Sequence, residues 1–157
     1  MIDQIYTYFT IEMIFLWLNL GVLPFWLVLI IFPQSQICKV FITSIFPISI
    51  ISLVYSYLLY SLFNDGYDFL GNFELYLGLS SILNLFSDRS FLILFWCHFL
   101  AINLFCGGWI VKDSQKFGIN KILMSFPLLI TYFIGPIGLT LYWIIRIFYA
   151  KKINLYD

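Results

Sequence analysis

The side chains that can do acid-base chemistry lie inside long apolar stretches of this sequence. His98 is the single histidine and can act as a base or an acid, Glu12 supplies a carboxylate, and Arg146 supplies a cation. Ionisable groups inside a membrane span are costly, so each points to a functional interior. A base, a carboxylate and a cation at similar depth can move protons on a lipid-soluble substrate.

Further polar residues recur at helical spacing and complete a candidate pocket. They are Asn19, Tyr60, Asn103 and Tyr142. Asn19 follows Glu12 by seven residues and Tyr142 precedes Arg146 by four, so each pair shares one helix face. With four spans of alternating direction, five candidates fall near one membrane face, which we name side A: Glu12, Tyr60, His98, Tyr142 and Arg146.

Each assignment has a structural alternative. Glu12 can be an ordinary first-turn residue after a Thr10 cap, stabilised by the helix dipole. Arg146 can extend its side chain to the headgroups. The two tyrosines can be interfacial aromatics, and His98 can simply bond to a neighbouring hydroxyl or carbonyl group.

A hydroxyl-lined face is predicted on the second apolar stretch. It consists of Ser49, Ser52, Ser56 and Tyr60, which are spaced by steps of three and four. Small hydroxyl residues allow helices in a membrane to approach closely and to bond across the interface. We therefore expect this face to point into a helix bundle.

The composition excludes a soluble globular domain. The chain has 157 residues, of which 62% are hydrophobic and 10% charged, whereas soluble domains are about half apolar and about a quarter charged. The net charge is zero and no basic stripe occurs, so nucleic acid is excluded as a partner. The aromatic content of 22% requires rings to face helices, lipid tails or a flat apolar ligand.

The elements that must position these residues are four predicted transmembrane helices. About 20 apolar residues cross a bilayer, and the stretches that qualify are 11–32, 37–63, 91–111 and 122–149. Residues 72–87 place one polar stripe on an apolar cylinder, which is typical of an interfacial amphipathic helix. A re-entrant hairpin or a helix that caps the bundle is the alternative there. The predicted fold is thus an all-α integral membrane protein with a single domain, 1–157.

The fourth stretch carries a helix-breaking motif, Gly135-Pro136-Ile137-Gly138. Pro136 cannot donate a hydrogen bond to the carbonyl of Tyr132, so we expect a kink that exposes a polar carbonyl near the middle of the membrane. A packing notch for a neighbouring helix and a ligand contact are equally open interpretations.

Neither a metal nor a cofactor is predicted. The chain has three cysteines, no CxxC motif and one histidine, so zinc-ligand spacing is missing and the cysteines are interpreted as small apolar residues. Lys and Arg are almost evenly divided between the two sides of a four-span topology. By a narrow margin the positive-inside rule favours both termini outside the cytoplasm.

The sequence resembles the abscisic-acid-deficient-four-like membrane family. The resemblance rests on the segment from Trp96 through His98, Asn103 and Gly107 to Asp113, and on Gly118-Ile119 and Gly135-Pro136-Ile-Gly138-Leu139. In the N-terminal half it rests on Glu12-x-x-Phe15, Asn19, Pro24-x-Trp26, Pro33 and the stretch from Phe69 to Phe86. The likeness covers nearly the whole chain.

The resemblance implies a small four-helix protein of a bacterial or plastid membrane. Plant members of the family take part in making neoxanthin from violaxanthin, and bacterial members mostly lack an assigned function. Conversion of a 5,6-epoxide to an allenic alcohol needs an acid for the epoxide oxygen and a base for a vinylic proton. In this chain His98 would be base or acid, Glu12 its carboxylate counterpart, and Arg146 the group that polarises the oxygen.

The same resemblance implies a carotenoid ligand among membrane lipids and a possible membrane-protein partner. The expected substrate contacts are Asn19, Tyr60, Trp96, Asn103 and Tyr142. The family usually has Asp at position 103 and often Arg at position 108, where this chain has Asn103 and Gly108. An acid-base role through Asn103 is therefore excluded. Two functions stay open: a carotenoid isomerase, and a non-catalytic carotenoid- or lipid-binding subunit of a larger membrane assembly.

Overall fold

The computed structural model describes residues 9–151 and residue 153, and the regular structure in that part of the chain is helical. The α-helices are α1 (Ile11–Ile31), α2 (Phe46–Asn64), α3 (Leu79–Ser87), α4 (Arg89–Lys116), α5 (Lys121–Phe133) and α6 (Gly135–Ala150). A π-helical turn, Cys38–Ile42, precedes α2, and a 3₁₀ helix, Leu70–Tyr76, precedes α3. The all-α prediction is confirmed.

Three helices of the described chain are long and apolar enough to cross a bilayer, namely α1, α2 and α4. α1 matches the predicted first span, 11–32, and α4 extends the predicted third span, 91–111, at both ends. The prediction of four spans is wrong, because the fourth stretch is not one continuous helix.

The predicted fourth span, 122–149, consists of two short helices. α5 and α6 have 13 and 16 residues, so they are about 20 and 24 Å long, whereas the hydrocarbon core of a bilayer is about 30 Å thick. They separate at Ile134, whose φ of −139° and ψ of 79° are not helical. Pro136 follows at once and cannot continue the hydrogen-bond ladder of α5. The chain therefore reverses its direction at Ile134, where the sequence predicts a kink.

The helices α5 and α6 form the two legs of a C-terminal hairpin. Gly138 lets these legs approach each other closely. A Cβ atom at Gly138 would overlap the backbone nitrogen and Oγ1 of Thr131 and would lie 2.6 Å from its Cα. The Thr131 hydroxyl group is already used, since it donates to the carbonyl of Pro127 at 2.7 Å. The start of α5 meets the end of α4, where Ser114 Oγ donates to Met124 Sδ at 2.6 Å.

The second span is shorter than the predicted range, 37–63. α2 begins at Phe46, whose backbone N–H donates to Ser44 Oγ at 3.1 Å. Pro47 follows at the second helical position, where its missing N–H is tolerated. A serine cap followed by proline starts a new helix, so the preceding π-helical turn and α2 do not join into one element.

The hydroxyl residues of α2 do not point inward, contrary to the prediction. Those marked out by spacing, Ser49, Ser52, Ser56 and Tyr60, are exposed, and the buried residues of the helix are Pro47, Ile51, Leu58 and Leu62. Ser49 Oγ donates to the carbonyl of Ile45 at 3.0 Å, and Ser56 Oγ to that of Ser52 at 2.8 Å. A serine that bonds back to its own helix does not need a polar interior.

The predicted interfacial helix, 72–87, is interrupted. The 3₁₀ helix ends at Tyr76 and α3 begins at Leu79. Between them Gly78 has a φ of +153°, a conformation that residues with a Cβ rarely adopt. None of the residues of α3 is buried, and the location of this segment at a membrane surface stays a prediction.

Tyr67 anchors the connection that leads to this segment. Its hydroxyl group donates to Asn72 Oδ1 at 2.7 Å. Burial raises the pKa of Tyr67, and the carboxylates of Asp88 and Asp68 raise it further, while the bond to Asn72 opposes the rise. The phenol therefore stays protonated at neutral pH and keeps its role as a donor.

The chain divides into two compact units. Unit 1 contains the described residues 9–21 and 50–100, and unit 2 contains 22–49, 101–151 and 153. Buried apolar residues of unit 1 include Ile14, Leu18, Ile51, Leu58, Ile93 and Cys97. Those of unit 2 include Val22, Trp26, Leu29, Ile110, Met124 and Leu128. The prediction of a single domain over 1–157, which extends beyond the described residues, stays a prediction.

Candidate functional site

Unit 1 carries an open groove between the first turns of α1 and α4. Its volume is about 530 Å3. Apolar and aromatic side chains form most of its wall, and two charged ones complete it: Ile11, Glu12, Phe15, Arg89, Leu92, Ile93 and Trp96. An apolar wall with a few polar groups is the usual lining of a small-molecule site.

Glu12 and Arg89 form an ion pair in the lining of this groove. Arg89 Nη1 donates to Glu12 Oε1 at 2.9 Å, and the two side chains remain 80% and 66% exposed, respectively. Glu12 lies in the first turn of α1, after a Thr10 side chain that accepts from the N–H of Met13 at 3.3 Å. Glu12 is therefore both a first-turn residue after a Thr10 cap and a lining residue of the groove.

Trp96 is held as a flat wall of the groove. Its Nε1 donates to Asn19 Oδ1 at 3.3 Å, and Asn19 Nδ2 donates to the carbonyl of Phe15 at 2.7 Å. The ring of Phe15 lies 5.6 Å from that of Trp96, and Phe99 stacks on Trp96 at 5.2 Å with an interplanar angle of 27°. The hydrogen bonds fix the orientation of an aromatic surface that can receive another flat apolar group.

The structure thus brings three sequence-predicted residues of unit 1 together, namely Glu12, Asn19 and Trp96. Two others are placed elsewhere on the same unit. Tyr60 is 67% exposed on α2. His98 is exposed on α4, and no hydrogen bond or ion pair joins it to the described part of the chain. The catalytic role of His98 stays a prediction.

Unit 2 contains a buried polar cluster at the end of α4. Asp113 Oδ2 accepts from the Tyr142 hydroxyl group at 2.6 Å and from Arg146 Nε at 2.7 Å. The side chains of Arg146 and Asp113 are 1% and 9% exposed, and Tyr142 is fully buried. One carboxylate oxygen therefore accepts from a phenol and from a guanidinium N–H at once, and such charge-assisted bonds offset part of the cost of burying the charges.

Aromatic rings enclose this cluster. The guanidinium carbon of Arg146 lies 4.8 Å from the ring centre of Phe117 and 5.0 Å from that of Trp143. Trp109 meets Tyr142 edge to face at 5.6 Å and stacks on Trp143 at 6.4 Å. A cation between ring faces is attracted by both, and the low polarity of this casing strengthens the ion pair inside it.

The position of Arg146 and Tyr142 differs from the sequence-based prediction. A continuous fourth span would carry them to side A, away from Asp113. The reversal at Ile134 brings α6 back along α5, so both residues lie at the Asp113 end of α4. Among the described residues, Arg146 therefore forms an ion pair with Asp113.

Asn103 lies in the interior of unit 2, beside the tip of the C-terminal hairpin. It is 5% exposed, and a Cβ atom placed at Gly135 would overlap its Oδ1. Its Nδ2 has no hydrogen-bond partner among the described residues. The expectation that Asn103 contacts a substrate is compatible with this free donor and stays a prediction.

The sequence pattern indicates neither Asp113 nor Arg89 as a site residue. Both flank the apolar run of the third span and are therefore interpreted as charges at the ends of a membrane helix. One signal was available for Asp113. The run after Val111 contains no glycine or proline before Gly118, so the helix can continue and carry Asp113 on the face of Trp109, four residues earlier. α4 indeed continues to Lys116.

Comparison with known proteins supports the resemblance stated from the sequence. The model of the family described as ABA DEFICIENT 4-like matches residues 13–142. Protein ABA DEFICIENT 4, chloroplastic, of Arabidopsis thaliana is 27% identical over 129 residues, which cover 80% of this chain and 57% of that protein. The chain thus spans little more than half of the length of this relative.

No solved structure matches the chain. The family match, in contrast, includes Trp96 in the groove, Asn103 at the hairpin tip, and both Asp113 and Tyr142 in the buried cluster. Since this match covers most of the sequence, the chain belongs to the ABA DEFICIENT 4-like family.

Proposed function

We propose that this protein binds a carotenoid within the lipid bilayer. The observation that carries the proposal is the groove of unit 1, where Trp96 and Phe15 form an aromatic wall beside the Glu12–Arg89 ion pair. A carotenoid offers a flat apolar polyene with a ring at each end. The wall suits the ring or polyene, and the ion pair suits a ring oxygen.

Replacement of Trp96 by leucine tests the groove. We expect pigment binding to weaken about two- to tenfold, since an aromatic contact contributes about 0.5–1.5 kcal/mol beyond its buried area. The chain is expressed in a carotenoid-producing host and purified in mild detergent, and the bound pigment is extracted and quantified by chromatography.

Trp17→Leu is the matched control. Trp17 lies on α1, is 57% exposed, and does not line the groove, so its replacement should leave pigment content unchanged. A colourless wild-type protein would contradict the proposed function. Equal pigment in wild type and Trp96→Leu would contradict the assignment of the groove.

A second candidate function is isomerisation of a carotenoid 5,6-epoxide to an allenic alcohol. Family membership and the presence of a carboxylate with a cation in the groove favour it. An acid protonates the epoxide oxygen as its bond to carbon breaks, and a base takes the vinylic proton as the allene forms. One proton is taken up and one released, so substrate and product are isomers. His98 and Glu12 of unit 1 are the proposed catalytic residues, and a partner chain is the alternative source of catalytic groups.

Catalysis is tested in a host that makes violaxanthin. If His98 transfers a proton, His98→Gln should abolish a new allenic pigment, at least a hundredfold below the wild type, because general acid-base catalysis contributes about 10²–10⁴ in rate. The pigment content of the purified variant is the control, since binding through the groove should persist. An unchanged yield of product from His98→Gln would remove His98 from the mechanism. Pigment binding without product in the wild type would favour the non-catalytic subunit.

A further inference from the structure

A polar pocket lies in unit 2, where two membrane spans end. α1 ends at Ile31 and α4 ends at Lys116. Gln115 Nε2 joins the two ends, because it donates to the carbonyl of Pro33 at 2.7 Å. The pocket has a volume of about 660 Å3, and its polar lining residues are Gln34, Lys39, Gln115, Asn120 and Lys121. The ends of membrane spans meet the headgroup layer of a bilayer, so the pocket lies at the level of lipid headgroups.

One wall of this pocket is preformed by the tight connection between α4 and α5. Gly118 has a φ of +63°, the left-handed conformation that ends many helices. The Ile119 N–H donates back to the carbonyl of Ser114 at 2.9 Å. Asn120 Oδ1 accepts from the N–H of Ile122 at 2.9 Å and so caps α5. This wall therefore does not have to become ordered when a ligand binds, which lowers the cost of binding.

The lining of the pocket is cationic. Lys39 and Lys121 are exposed, and neither amine makes a hydrogen bond or an ion pair with the described residues. In the described part of unit 2, Asp113 is the single acidic residue, and it is paired with Arg146. The two lysines and three amides of the lining thus have no carboxylate among them, and they favour an anionic group with several acceptor oxygens.

Apolar side chains flank the two lysines along the chain and are exposed. Ile37 precedes Lys39 by two residues and is 60% exposed, and Ile122 follows Lys121 directly and is 74% exposed. In a membrane such side chains contact acyl chains, while lysine side chains extend their amines to the headgroups. A ligand with a phosphate group and acyl chains would use both features, whereas a free phosphate ion would use only the lysines.

We propose that this pocket binds the phosphate group of an anionic glycerophospholipid. The phosphate oxygens accept from the amines of Lys39 and Lys121, and the acyl chains contact the exposed apolar side chains beside them. Basic pockets between membrane helices are suited to anionic headgroups. A headgroup with a choline cation is disfavoured, because the lysines repel that cation. The site is separate from the groove of unit 1, and the proposal does not depend on carotenoid binding.

The test is a lipid titration of the full chain in mild detergent, followed by native mass spectrometry, which gives a Kd for each bound lipid. Phosphatidylglycerol is compared with phosphatidylcholine of the same acyl chains, and glycerol 3-phosphate represents the free headgroup. A lysine near an anionic surface contributes about fivefold in affinity, or about 1 kcal/mol. With two lysines, wild type should bind phosphatidylglycerol about 25-fold more tightly than phosphatidylcholine. Glycerol 3-phosphate should bind more weakly than phosphatidylglycerol, because it lacks acyl chains.

Substitution of single lysines tests the pocket itself. Lys39→Gln and Lys121→Gln should each weaken the binding of phosphatidylglycerol about fivefold, and Lys39→Arg should retain it, because the charge persists. Lys112→Gln is the matched control. Lys112 is also an exposed lysine of unit 2, but it does not line this pocket, so its replacement should leave the Kd unchanged.

Three results would overturn the proposal. The first is an equal Kd for phosphatidylglycerol and phosphatidylcholine in wild type. The second is an equal Kd for phosphatidylglycerol and glycerol 3-phosphate, which would make the site one for free phosphate. The third is an equal loss in Lys112→Gln and Lys39→Gln, since the attraction would then come from the general charge of this surface.

Discussion

Replacement of Arg146 by methionine should destabilise the protein by about 3–5 kcal/mol, the cost of removing one partner of a buried ion pair. Among the described residues, the substitution leaves the Asp113 carboxylate with the Tyr142 hydroxyl group as its hydrogen-bond partner, beside the rings of Trp109 and Trp143. The side chain of Arg146 is 1% exposed, so water cannot replace the lost contact. The expected loss is large compared with most single substitutions.

The measurement is unfolding in mixed detergent micelles with increasing SDS, followed by tryptophan fluorescence. Arg89→Met is the matched control, because the Arg89–Glu12 pair has a similar length but exposed side chains. Exposed pairs contribute about 0–1 kcal/mol. The double variant Arg146→Met, Asp113→Asn should be more stable than Arg146→Met alone, since it also removes the charge of Asp113. Equal losses for Arg146→Met and Arg89→Met would contradict the structural role of the cluster.

Gly138→Ala should destabilise the C-terminal hairpin by about 1–3 kcal/mol, the usual cost of inserting a carbon into a filled space. The new Cβ atom would overlap the backbone nitrogen and Oγ1 of Thr131. The backbone of α5 cannot rotate away as a side chain does, so the two legs must move apart. The same unfolding measurement gives the size of the effect.

Two further variants separate this explanation from others. Gly21→Ala is the control, because a Cβ atom there meets nothing within 4 Å, and alanine is favoured over glycine in a helix interior by about 1 kcal/mol. Its effect should be neutral or stabilising. Thr131→Ala should not rescue Gly138→Ala, since the overlap with the backbone nitrogen persists. Full rescue would show that only the threonine side chain is in the way.

α1 was predictable from sequence because local signals agree at both of its ends. Thr10 caps the start and Pro33 ends the apolar run, so the predicted range of 11–32 becomes the observed Ile11–Ile31. Gln115 Nε2 donates to the carbonyl of Pro33 at 2.7 Å and so satisfies a backbone group next to this helix. Family membership was likewise predictable from the sequence, since most of the motifs that carry the resemblance are short segments, each of which can be recognised locally.

The reversal at the hairpin tip was not predictable from local signals. Pro136 favours a kink and a chain reversal equally, because its missing N–H leaves the carbonyl of Tyr132 without that hydrogen bond in either case. The outcome depends on contacts across the hairpin and with α4, such as Thr131 with Gly138 and Asp113 with Arg146. Residues so far apart in the chain leave no periodic pattern in one sequence.

The candidate site was predictable only where spacing within one helix decides the geometry. Glu12 and Asn19 share a face of α1 and both meet the groove region. The serines of α2 also share a face, but their hydroxyl groups bond to their own helix, and the face is exposed. Periodicity identifies a common face, and it does not determine whether that face is buried.

The C-terminal hairpin also constrains how the protein is made. Each leg is shorter than the hydrocarbon core, and α6 carries Arg146, so neither leg is a strong membrane-insertion signal by itself. Because α4 precedes α6 in the chain, Asp113 is synthesised before Arg146. We therefore expect insertion of the hairpin into a membrane to depend on α4, which supplies a counter-ion for Arg146.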